Sequence, residues 1–307
     1  METGLLICRQ IVIMFIILAL GAFCYLKGII TKDGTKQLSN IALKIINPVL
    51  IFMSYQKDYN SELVKGLMWS FLLSAVSFAA AIALSYICVG KNNENKDIER
   101  FSIVYSNCAF IGIPLINGIF GAEGVLYLTA YLTFFNLLVW THGYMMMKGE
   151  KDFSSAVKAL LSPSVISVVL GLVCYLTNIR LSSVPSVALQ YVADMNTPVA
   201  MLIAGATAAQ TNILKALKNF RIYAVSFFRL ILIPAVAFGL MWLVGAPSMV
   251  IITVTIATAC PVATMGTMFA IQMDKNPQLC SDFFTVTTLL SGVTLPIVTM
   301  LCTSVCA

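Results

Sequence analysis

The sequence predicts an all-α polytopic membrane protein, with ten transmembrane helices arranged as two inverted five-helix repeats, and three observations carry that reading. Of the 307 residues, 59% are hydrophobic and only 10% charged, whereas soluble globular domains carry about 25% charge. Apolar runs of roughly 20 residues, enough to cross about 30 Å of hydrocarbon at 1.5 Å per residue, recur along nearly the whole chain. Prolines recur at similar spacing in the two halves: Pro48 precedes Pro114 by 66 residues and Pro198 precedes Pro261 by 63.

The spans follow in order. The first, 5–29, lacks a small-x-small cleavage site, and in LGAFC Phe23 stands where a lipoprotein site wants a small residue, so it reads as a retained helix. The second, 37–56, contains Pro48, and the third, 63–89, ends at the longest polar interruption, KNNENKDIER. The fourth, 101–120, carries NCAFIGIPLINGIFG, with two asparagines, three glycines and a proline in an otherwise apolar run. The fifth, 124–147, includes Asn136 and His142, and KGEKDFSSAVK joins it to the sixth, 159–178. The seventh, 187–210, holds Asp194 and Pro198; the eighth, 221–244, holds Arg229. The ninth, 248–271, is broken in its middle by Pro261 and Gly266, and the tenth is 282–304. Five spans per half, 1–156 and 157–307, make the second half enter the membrane from the opposite side.

The net charge of +6 does not point to nucleic acid, because basic residues in a membrane protein are counted loop by loop. Thirteen of the nineteen fall on odd-numbered loops, which places those loops in the cytoplasm and both termini outside an inner (plasma) membrane. The nine cysteines form no C-x-x-C pair and lie in apolar spans as small hydrophobes, so neither metal nor disulfide is expected. H-E-x-x-H, G-x-S-x-G and the P-loop are all missing, so the reading is no enzyme and no cofactor.

Freed N–H and C=O groups in hydrocarbon cost several kcal/mol each unless protein or a watery cavity satisfies them. Two broken helices at corresponding positions therefore point to a transporter's substrate site. Asn107 and Asn136 can each offer two amide donors to a carboxylate without burying a fixed charge. Half-helix N-termini at Pro114 and Pro261, with Gly112 and Gly266 beside them, add free N–H groups and the positive dipole end. Asn117, three residues past Pro114, is a substrate contact or a partner for the broken backbone. Asp194 is the carboxylate available for proton coupling. Arg229 pairs with backbone carbonyls or with substrate, Lys44 snorkels, and His142 reads as an interface residue rather than a proton relay.

Asn107, the run Gly112-Ile113-Pro114-Leu115 and Gly121 together resemble the N-x-x-x-x-G-I-P-L stretch of the auxin efflux carrier family. FFNLLVWTHGYMMM, with Asn136 as its amide, TPVAMLIAGATAA, FFRLILIPAVAFG, ATACPVATMGTMFAIQMDKNP and LSGVTLPIV extend the similarity over most of the chain. The resemblance implies the architecture of sodium/proton antiporters and bile-acid symporters, with spans 4 and 9 crossing. It also implies a scaffold of spans 1, 2, 6 and 7 that forms homodimers, and a moving transport domain of spans 3–5 and 8–10. The short central link marks similarity to the prokaryotic malate or malonate permease-like members rather than to plant carriers.

The expected partners are therefore the lipid bilayer and a small organic anion, moved by alternating access. One charge crossing 100 mV is worth about 2.3 kcal/mol, so with a negative interior export of an anion needs no coupling ion and uptake does. Two rivals stand beside this carrier. A channel would want a continuous polar stripe on several helices, whereas polarity concentrates on spans 4, 5, 7 and 9; a non-transporting sensor would be expected to carry a signalling domain.

Overall fold

A computed structural model describes residues 2–149 and 161–306, with side chains from Leu6 onward. The elements are helices: α1 Glu2–Leu26, α2 Lys32–Ser54, α3 Ser61–Cys88, α4 Lys96–Val104, α5 Cys108–Lys148, α6 Pro163–Leu176, α7 Ser183–Ala208, α8 Ile213–Ala216, α9 Phe220–Leu243, α10 Ser248–Ala259, α11 Met265–Gln272 and α12 Pro277–Cys306.

Among the described residues seven helices are long and apolar enough to cross a membrane: α1, α2, α3, α5, α7, α9 and α12. The chain is an integral membrane protein with about seven such helices, and the expected ten, with the two inverted five-helix repeats built on that number, is corrected. The expected fourth and fifth spans fall largely on the single 41-residue segment α5. The expected sixth falls on α6, of 14 residues, and the expected ninth on α10 and α11, of 12 and 8 residues with the break between them; at 1.5 Å per residue these single helices reach only about 21, 18 and 12 Å. Both termini outside followed from an even count and falls with it. The expected boundary at 156/157 and most of the central link lie outside the described residues.

Prolines explain three of the four π turns among the described residues. Ala42–Ile46, Cys108–Gly112 and Phe228–Leu232 each end two residues before a proline, namely Pro48, Pro114 and Pro234. Proline lacks an N–H and its ring presses on the carbonyl four residues back, and widening the preceding turn relieves that pressure. The fourth, Val139–Gly143, has no proline after it.

Inside α5, Gly121 holds φ 61° and ψ −154° and kinks the segment. That combination belongs almost wholly to glycine. Gly121→Ala should therefore cost about 1–3 kcal/mol, measured as a lower unfolding temperature in detergent.

Small residues set the closest packing. A Cβ on Gly205 would lie 1.8 Å from the Leu18 carbonyl oxygen, and one on Gly21 would lie 2.4 Å from that of Leu202, so α1 and α7 touch backbone to backbone. Such contacts are how helices associate where lipid removes the hydrophobic drive. α2 packs against α6 and α7, joined by a buried Asn196 Nδ2 to Asn47 Oδ1 bond of 2.7 Å. α3, α5, α9, α10 and α12 pack around one another, and α10 is buried from Val250 to Ala259.

Candidate functional site

Two chain breaks meet in the interior. α4 ends at Val104, and Tyr105 to Asn107 run extended or irregular before the π turn that opens α5. α10 ends at Ala259, and the chain stays non-helical through Pro261 until α11. The two breaks pair antiparallel at Ser106 and Val262. Asn107 N–H donates to the Pro261 carbonyl at 2.7 Å, and Ala263 N–H donates to the Tyr105 carbonyl at 2.9 Å. Val262 N–H donates to Thr287 Oγ1 of α12 at 3.1 Å. Broken backbone that would be costly in lipid is thus satisfied by a second break and one hydroxyl.

The four half-helix ends at this crossing carry opposite partial charges. The carboxyl-terminal ends of α4 and α10 are held by Arg229, which is fully buried. Its Nε donates to the Cys260 carbonyl at 3.0 Å, and its Nη1 donates to Ile103 and Val104 carbonyls at 2.8 and 3.1 Å. Its Nη2 donates to the Thr258 carbonyl. One planar fork thereby supplies donors to carbonyls from two helices and places a permanent positive charge at both negative ends.

The amino-terminal ends of α5 and α11 leave their opening N–H groups without intrahelical partners, as every helix start does. Asn107 stands directly before the first of these. Its side chain is buried, and its Nδ2 has no hydrogen-bond partner among the described residues. Gly112 and Gly266 allow the arms to close: a Cβ on Gly112 would lie 3.3 Å from Cys260 Sγ, and one on Gly266 would lie 3.0 Å from the Phe101 ring.

Other expected site residues are placed differently. Pro114 lies in the first turn of α-helical geometry after the π turn, seven residues past the break itself, whereas Pro261 is in the break. Asn136 is half-buried and donates its Nδ2 to the Leu132 carbonyl of its own helix at 2.8 Å. Asn117 is half-buried with no side-chain hydrogen bond among the described residues. Asp194 is exposed and accepts from Gln190 Nε2 at 2.7 Å, on a stretch of α7 that packs chiefly on α2, so it is not brought to the crossing.

Sequence reading missed Gln10. From α1 it donates Nε2 to the Pro114 carbonyl at 3.3 Å, and its amide fills the notch that Gly118 leaves, where a Cβ would be 2.1 Å from its Cδ. Tyr131 and Ser77 were also missed; Tyr131 bonds Ser106 of one break at 3.2 Å, and Ser77 of α3 bonds Thr258 at the end of α10 at 2.7 Å. A serine or tyrosine in an apolar run gives no sign of which distant helix it will meet.

Residues 6–156 and 152–299 match the family described as membrane transport protein. The chain is 24% identical over 296 residues to an uncharacterized transporter of Methanocaldococcus jannaschii, covering 92% of this chain and 94% of that protein. It is 20% identical over 290 residues to an uncharacterized transporter of Methanothermobacter thermautotrophicus, with the same coverage. A secondary-transporter-like membrane protein, and not an enzyme, is what this membership describes. The chain belongs to the membrane transport protein family, the group of auxin efflux carrier-like transporters.

Proposed function

We propose that this transporter carries small organic anions, carboxylates of the malate and malonate class or an auxin-like acid, by alternating access with the anion bound at the crossing. The observation that carries the reading is Asn107 Nδ2, a buried donor directly before the start of α5 with no hydrogen-bond partner among the described residues. A buried donor left unpaired costs about 1–3 kcal/mol, and a carboxylate would satisfy it together with the opening N–H groups. Arg229 supports the sign of the charge: with the negative helix ends already neutralised, the field left at the crossing is that of the positive ends. Gly112 and Gly266 keep the arms of the crossing close and Pro261 stands in the break, and in this reading Pro114, Asn117 and Asn136 extend the site along α5.

Packing also supports a division of labour. α1, α2, α6 and α7 associate with one another and form the scaffold, while α3, α4, α5 and α9 to α12 form the part that moves. The scaffold's outer face is apolar at Ile16, Val184 and Tyr191, and a second copy docks there as a homodimer.

The test is uptake of labelled malate, malonate and indole-acetate into proteoliposomes under an imposed potential or pH gradient, with Asn107→Ala beside the native chain. Saturable uptake lost in the variant is the expected result. Saturable binding without flux would replace the carrier by a sensor, and non-saturable flux would replace it by a channel.

A further inference from the structure

His142 is the sole histidine of the chain and lies in the π turn Val139–Gly143, the one π turn among those described that no proline explains. Single π turns without a local cause are often found at functional sites. This one aims the imidazole at the crossing. Nδ1 lies 2.9 Å from the Tyr105 hydroxyl, and Nε2 lies 3.5 Å from the Tyr86 hydroxyl. Tyr86 is about half exposed at 48%, whereas Tyr105 is fully buried. Tyr105 opens the break of α4, and its carbonyl accepts from Ala263. Gly143 makes room for the contact, since a Cβ there would lie 2.9 Å from the Tyr105 ring. A line of exchangeable protons therefore runs from a half-exposed tyrosine through an imidazole to the residue that opens the break.

We infer that His142 is the proton site of this carrier, loading a proton through the Tyr86 side and favouring the anion at the crossing; this rests on the organic-anion reading above.

Hydrogen-bond accounting explains how the network takes the charge. The Tyr105 hydroxyl has one hydrogen, for which the Leu138 carbonyl at 2.9 Å and His142 Nδ1 compete, and the Gly143 N–H faces its oxygen as well. In the imidazolium, Nδ1–H donates to Tyr105, Tyr105 donates to Leu138, and Nε2–H faces Tyr86, so every group is satisfied. In the neutral form with hydrogen on Nε2, Tyr105 must turn to His142 and the Leu138 carbonyl loses this donor. The neutral form with hydrogen on Nδ1 keeps both inner bonds and differs from the imidazolium by one proton on Nε2, the nitrogen nearer the exposed tyrosine. Proton entry at that position leaves the inner bonds in place.

The surrounding groups leave this role to His142. Tyr86 comes from α3, with the Arg100 guanidinium over its ring at 4.4 Å, and Arg100 opposes the imidazolium charge. Glu99 of α4 is paired with Arg221 at 3.3 Å and Asp97 with Lys275 at 2.5 Å. Tyr144 follows in α5, with Lys148 over its ring at 5.8 Å. Asp194, the carboxylate first expected to couple protons, is exposed on α7. Histidine is the side chain whose ordinary titration falls between about pH 5 and 8.

Linkage makes the inference testable in both directions, because two coupled sites change one another's affinity by the same factor, typically about 5- to 150-fold. With one histidine, a chain labelled with ¹⁵N-histidine in nanodiscs gives one imidazole titration, and saturating malonate should raise its midpoint by about one pH unit, equivalent to about tenfold. Malonate binding to the native chain should tighten by the same factor from pH 8 to pH 5.5, and the profile should be flat in His142→Gln and altered in Tyr105→Phe. A histidine midpoint indifferent to bound malonate, or an unchanged pH profile in His142→Gln, overturns the proton site and leaves the carrier standing. No malonate binding or flux at any pH removes the carboxylate reading, and the coupling with it.

Discussion

Replacing Arg229 by leucine should leave too little folded protein to assay. The guanidinium supplies donors to the carbonyls of Ile103, Val104, Thr258 and Cys260, and leucine supplies none. Each buried acceptor left unpaired costs about 1–3 kcal/mol, so a loss of about 2 kcal/mol or more is expected even if half the carbonyls find new partners. Lysine at this position should recover only part of it, because its three donors radiate from one nitrogen and cannot span two helix ends. Thermal unfolding and size-exclusion profiles in detergent read the effect. A leucine variant as stable as the native chain, yet inactive in transport, would assign Arg229 to the substrate and not to the crossing.

Asn107→Ala should do the reverse, leaving the fold intact and removing binding. Its Nδ2 has no hydrogen-bond partner among the described residues to lose, and the backbone bond to Pro261 uses only the main chain. A hydrogen bond to a charged group is worth about 1.5–3 kcal/mol, which corresponds to roughly a 10- to 100-fold weaker malonate affinity. Asn107→Asp should bind more weakly still, because it sets like charge against the anion. Asn136→Ala serves as the comparison: its amide is already bonded to Leu132, so its effect should be smaller. Equal losses at the two positions would move the site toward α5 and away from the crossing.

The residues that made these predictions possible were unequally legible in the sequence. Asn107, Pro261 and the paired glycines announced themselves, because amides and helix breakers in an apolar run conflict with the demand that backbone be satisfied. The membrane character was equally open, since it depends on composition alone. The number of crossing helices was not. A hydropathy run does not say where a helix starts, and Ser162 with Pro163 caps α6 well inside the run that suggested a sixth span. Nor does it separate α5 into two helices, since one apolar segment continues through Gly121. Pro114 misled by position: the wide π turn before it absorbs the missing N–H, and the break itself falls back to Tyr105. Arg229 showed a charge at depth but not its carbonyls, which lie on chain segments about 30 and 125 residues away. His142 was undervalued for a similar reason, because its meaning comes from Tyr105, 37 residues earlier, which only the fold brings to it.

The two apolar helices of intermediate length, α6 and α10, differ in their surroundings. α10 is enclosed by protein along most of its length, so its 12 residues never have to match the bilayer. α6 presents Val169, Leu170 and Val173 outward, each more than half exposed, on a helix of 14 residues. About 21 Å of apolar surface there faces lipid whose tails fill about 30 Å, and such mismatch is met by local thinning at a fraction of a kcal/mol per Å. Lipid along this face is therefore expected to thin locally in a bilayer of ordinary thickness. Short-chain phospholipids should relieve that mismatch and raise the unfolding temperature, and long-chain or sterol-stiffened membranes should lower it, so acyl length becomes a control on this protein as real as any ligand.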